Sequence, residues 1–145
     1  QNGLPSKRKY TFIDIAVKRA KAMVYAVPAR EFDSEVLFAL ESDEIVRRDA
    51  DADTVCPGHD VFEDWALEKF IDEKYVEHKD SIPAFLEAVG SEPAMNRAFR
   101  IWLSNKLKFD ESTLDFITQL FADENTQQAW KDEAASALLQ GKATM

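Results

Sequence analysis

Only one stretch of this chain, Glu44 to Cys56, is both β-branched and bounded by turn-forming residues; the rest carries apolar residues at the three-four spacing of a helix. A mainly α fold with one short β-hairpin follows. Glu44 to Asp49 and Thr54 to Cys56 read as its two strands, joined by an acidic turn. Ahead of it, Phe12, Ile15, Ala16, Ala20, Met23 and Val24 predict an amphipathic helix over Thr11 to Ala26 that Pro28 stops. Asp33 then caps a second helix, Ser34 to Glu41, with Val36, Leu37 and Leu40 facing inward. Behind the hairpin, Val61, Phe62, Trp65, Ala66 and Phe70 mark a helix from His59 to about Lys74.

The remainder is helix punctuated by start and stop signals. Ser81-Ile-Pro83 opens a short helix that Gly90 ends, and Ser91-Glu-Pro93 opens the next, through Phe99, Trp102 and Leu103 to Leu107. Ser112 with Asp115 three residues later has the form of a capping box, and Asn125 opens a last helix that runs from Trp130 to Leu139. Helix, helix, hairpin, helix is the order of a winged-helix-like unit, assigned here to residues 1–78. The short connections beyond it predict antiparallel helical hairpins over residues 79–145.

Charge narrows the partners. Eighteen Lys and Arg stand against 27 Asp and Glu, a net charge of −9, so the summed field repels phosphate backbones and anionic membranes. The helix before the hairpin, Asp33 to Ser42, has no Lys or Arg where a DNA-reading winged helix needs them. No nucleic acid and no membrane are expected as partners, since no apolar run approaches the ~20 residues of a spanning helix. The single cysteine, Cys56, fits a reducing compartment, and a cytoplasmic location is expected. Gln1-Asn2-Gly3 in place of an initiator methionine suggests a piece of something longer.

Several constellations invite chemistry and fall short of it. Asp49, Asp51 and Asp53 alternate like calcium-loop ligands, but Thr54 takes the place of the loop's glycine, Asp60 that of its glutamate, and Pro57-Gly58 breaks the exit helix. An acidic turn in solvent is the simpler reading. His59 and Glu63 share a helical face without a third metal ligand, and His78 is isolated, so no metal is assigned. No Ser-His-Asp or Cys-His set occurs at a recognisable spacing, which leaves no catalytic residue. Trp65, Trp102 and Trp130 each sit in an apolar stripe and read as core. Lys7-Arg8-Lys9 reads as a solvated start.

The segment Val55-CPGHDVFEDWALEKF-Ile71, placed directly behind the hairpin, resembles the end of the regulatory winged-helix domain of STAND-class (NACHT or NB-ARC-like) signalling NTPases. That family includes plant disease-resistance proteins, apoptosome scaffolds and bacterial antiphage sensors. Its members carry Met-His-Asp or Phe-x-His-Asp, an apolar pair, and often Asp-Trp-Ala or Asp-Tyr-Ala. Here these are His59-Asp60, Val61-Phe62 and Asp64-Trp65-Ala66, and Phe38-ALESDEIVRR-Asp49 is similar to the family's Leu-rich helix and first wing strand. The resemblance covers residues 10 to 75.

It implies that His59 contacts the phosphate of ATP or ADP held by an upstream ATPase module, with Asp60 holding amides in the first helical turn and orienting the ring. A histidine at a helix start suits that task, because free amides and an adjustable charge both favour a phosphate. Without any such ligand, His59 is a capping or hydrogen-bonded histidine. No G-x-x-x-x-G-K-[ST] loop occurs, so the chain by itself is expected to be no enzyme and to hold no cofactor. Under this reading it is a regulatory segment plus the start of a sensor array, with protein ligands and an oligomer as further expectations for the parent. The contrasting expectation, carried by the charge of −9, is a free-standing acidic helical interaction module such as an immunity protein or DNA mimic.

Overall fold

A computed structural model of the protein describes residues 3–143. The elements run α1 (Gly3–Ala22), β1 (Val27–Pro28), a 3-10 turn (Ala29–Glu31), α2 (Ser34–Ser42), β2 (Val46–Asp49), β3 (Thr54–Pro57), α3 (Asp60–Glu77), α4 (Ile82–Val89), α5 (Pro93–Phe109), α6 (Thr113–Ala122) and α7 (Gln128–Ala143). The fold is mainly α with one small antiparallel sheet. It forms two compact units, the first ending at Phe70 and the second beginning at Ile71, so the division falls inside α3 rather than at its end.

In the first unit α1 buries Phe12, Ile15, Ala16 and Ala20. It begins well before Thr11 and takes in Lys7-Arg8-Lys9, where Arg8 pairs with Asp43 at 3.5 Å. It also stops four residues short of Ala26. Met23 turns left-handed at φ 55°, and the amides of Met23 and Val24 close on the carbonyls of Ala20 and Arg19, both at 3.3 Å. A left-handed residue at this point is usually glycine, since a Cβ strains it. Met23 is 70% exposed and has little packing to lose. Met23→Gly is therefore expected to stabilise the protein by about 0.5–1 kcal/mol, measured as a higher urea midpoint at unchanged slope.

Just beyond the expected helix end lies a strand that the sequence did not predict. Val27 pairs with Val55 and Pro28 with Thr54, so β3 lies between β1 and β2. On its other edge Val46 to Asp49 run antiparallel to Pro57 to Thr54. α1 and α2 pack on this sheet and on each other. α2 starts as expected, the Asp33 carboxylate accepting from the Glu35 and Val36 amides at 2.9 and 3.1 Å. The acidic turn has a structural use for its first and last carboxylates. Asp49 accepts from the Asp51 and Ala52 amides at 3.0 and 3.1 Å, and Asp53, left-handed at φ 55°, pairs with Arg48 at 3.3 Å. Helix, hairpin and sheet order together make the unit winged-helix-like.

The second unit is organised by rings. Phe85, Phe99, Trp102 and Phe116 are buried and, with Tyr75 and Trp130, form one connected cluster; Phe99 and Trp130 meet edge to face at 4.9 Å. α4 starts where Ser81 Oγ accepts from the Ala84 amide at 3.2 Å and ends at Gly90, φ 87°. α5 packs most extensively on α7, with α6 against both. Asp72, on the last turns of α3, accepts from Trp102 Nε1 at 3.2 Å and pairs with Lys106 at 3.0 Å. Burial pushes the Tyr75 phenol above its usual range, partly countered by Lys106.

Two expected caps take other forms. Ser112 already has helical backbone angles and makes no capping bond. Its hydroxyl and amide both donate to Asp110, at 2.6 and 3.0 Å, which holds that carboxyl below its usual range. Asn125 lies in a turn before α7, its amide donating to Asp123 at 2.9 Å, and the helix starts at Gln128. Among the described residues no helix is long and apolar enough to cross a membrane.

Candidate functional site

The turn from β3 into α3 is held by backbone. The Gly58 amide donates to the Ile45 carbonyl at 2.7 Å, and the Ile45 amide to the Leu40 carbonyl at 2.9 Å, so the turn is tied to the end of α2. A Cβ on residue 58 would stand 2.7 Å from the Glu44 oxygen and 3.0 Å from that of Ile45. Only glycine fits this approach.

With Gly58 buried, the next residue emerges at the surface. His59 is exposed, and its carbonyl accepts from the Phe62 and Glu63 amides at 3.1 and 3.2 Å, which opens α3. Its ring meets that of Phe62 edge to face, with 5.3 Å between centroids. Asp60 is the first residue of α3, also exposed. No hydrogen bond joins its carboxylate to the helix amides among the described residues, so its contribution there is the favourable placement of a negative charge at a helix N-terminus.

His59 and Asp60 border a cleft of about 330 Å³ that Arg19, Tyr25, Arg47 and Glu63 also line. Arg19 reaches it from α1. Its guanidinium pairs with the Glu63 carboxylate, donates from Nε to the Tyr25 carbonyl at 2.6 Å and lies over the Tyr25 ring at 5.6 Å. Glu63, the residue that shares a helical face with His59, is thereby neutralised. Arg47 comes from β2 and is exposed, and its side chain makes no hydrogen bond or ion pair among the described residues. Neither arginine was a sequence candidate. Arg19 lies 40 positions before His59, and only the packing of α1 on the sheet brings them to one cleft.

Other candidates fall elsewhere. His78 belongs to the second unit, just past α3, its amide donating to the Lys74 carbonyl at 3.0 Å. Cys56 is buried in β3. Trp102 and Trp130 are core, but Trp65 is 41% exposed and Val61 is 74% exposed. These two, four residues apart, share an outward face of α3, and Lys69 lies over the Trp65 ring at 5.9 Å. Apolar spacing on α3 supplies more than one face, and that of Ala66 and Leu67 is the buried one. α2, in turn, exposes Glu35, Phe38 and Glu41. Among the described residues there is no group of three or more His, Cys, Asp or Glu placed to hold a metal ion. No protein-family model matches the sequence, and no curated protein matches it significantly.

Proposed function

We propose that the first unit is a non-catalytic regulatory module in which His59 contacts the phosphate of a nucleotide held by a neighbouring ATPase module of the same, longer protein. The observation that carries this reading is the position of His59. A buried glycine turn, pinned to the residues after α2, presents the imidazole at the start of α3 and at the rim of a cleft with room for a phosphate. The nearby Val61 and Trp65 supply apolar surface of the kind that a docked module covers. Asp60 borders the same contact. Helices of the second unit then belong to the ligand-sensing part, and ATP or ADP is the parent's cofactor.

In the longer protein, His59→Ala is expected to weaken nucleotide-dependent closure by about 1.5–3 kcal/mol, the worth of one charge-assisted contact. Faster release of labelled ADP is the measurement. In the 145-residue chain the same change should shift unfolding by less than about 0.5 kcal/mol, because the ring is exposed. Unfolding of the chain on this replacement would return His59 to a purely structural role.

A second reading draws on the acidic face of α2 around Phe38, which is 69% exposed, and on the net charge of −9: a free-standing module that binds a basic protein. A phosphate-loop module encoded directly upstream separates the two readings in favour of the first. A complete short reading frame favours the second.

A further inference from the structure

We propose that Arg47 pairs with His59 to bind one phosphoryl oxyanion in the cleft at the start of α3, an inference that rests on the phosphate reading of His59. Three arginines lie on or next to this cleft, and two are already engaged. Arg19 is held by Glu63 and the Tyr25 carbonyl, and Arg48 by Asp53. Arg47 alternates with Arg48 on β2, so the two leave the strand on opposite faces. Its register partner is Cys56, two residues before the Gly58 turn, which sets Arg47 beside His59.

Charge gives Arg47 a specific task. Within the cleft Arg19 and Glu63 cancel, which leaves the Arg47 guanidinium to balance the Asp60 carboxylate. Without Arg47 the cleft would present an uncompensated carboxylate to any anion. With it, the surroundings are neutral, and the planar guanidinium offers two parallel N–H donors to phosphoryl oxygens while His59 supplies a third. Lysine would restore the charge but not the fork.

The test uses the isotope-labelled 145-residue chain titrated with pyrophosphate at constant ionic strength, read from amide shifts of residues 58–61 and the Arg47 Nε–H signal. Saturable binding is expected. Arg47→Gln should weaken it about tenfold or more, Arg47→Lys should weaken it less, and Arg48→Gln should leave it within about twofold, as expected for an exposed charge outside the site. Equal losses from Arg47→Gln and Arg48→Gln would reduce the effect to net charge and overturn the proposal. Acetate binding as well as pyrophosphate would overturn its phosphoryl part. If His59→Asn abolishes binding and Arg47→Gln does not, the pairing fails while the reading of His59 survives. The reverse result would keep Arg47 and remove His59. Absence of any saturable shift overturns both.

Discussion

Replacing Phe85 with alanine is expected to cost the second unit about 3–5 kcal/mol, the largest single effect anticipated in this protein. The side chain is 1% exposed, and its ring meets four others: Tyr75 at 5.4 Å, Trp102 at 5.5 Å, Phe116 at 5.8 Å and Phe99 at 6.3 Å. Truncation removes the transfer energy of a phenyl group, opens a cavity among rigid rings that collapse poorly, and deletes ring contacts each worth roughly 0.5–1.5 kcal/mol beyond area. Small domains have only about 5–15 kcal/mol in total, so the loss approaches the stability of the unit. Urea unfolding followed through Trp102 and Trp130 emission measures it. Phe121→Ala is the control. That ring is 39% exposed and its loss should cost no more than about 1 kcal/mol. Similar losses for the two variants would mean that the cluster is not the core.

Gly58→Ala is the second large effect, with an expected loss of roughly 2–3 kcal/mol. The added methyl would sit 2.7 Å from a backbone oxygen, and backbone tied into the end of α2 cannot rotate away as a side chain can. Relief requires the turn to move off residues 44 and 45, which breaks the 2.7 Å bond from the Gly58 amide to the Ile45 carbonyl. Stability and site are then lost together, because His59 follows in the chain. A fully stable Gly58→Ala chain with the His59 ring signals unmoved would contradict this account of the turn.

Local signals made much of the fold legible. Asp33 and Ser81 cap the helices they were expected to cap, Gly90 ends its helix, and the β-branched stretch forms the hairpin. What escaped depends on partners distant in sequence. Val27-Pro28 is too short to show periodicity and is a strand only because β3 offers it a free edge. Met23 and Val24 continue the helical rhythm of α1, yet the chain turns there. Ser112 has the right spacing for a capping box, but Asp110 competes for its hydroxyl. At the candidate site, His59 and Asp60 were singled out by the resemblance of Val55 to Ile71 to a family motif, and Pro57-Gly58 marked the turn before them. Arg19 and Arg47 did not, since α1 and β2 reach the cleft only through tertiary packing.

The outward face of α3 has an optical consequence. Of three indoles, Trp102 and Trp130 are sealed at 3% and 6% exposure, whereas Trp65 is open at 41%. Trp65 lies six residues beyond His59, about 9 Å along the axis at the usual helical rise. Collisional quenching by acrylamide or iodide will therefore select one emitter, the one on the outward face of α3. Under the proposed reading, a module that seated against this face would shield Trp65, while the light from Trp102 and Trp130, already sealed, would stay the same.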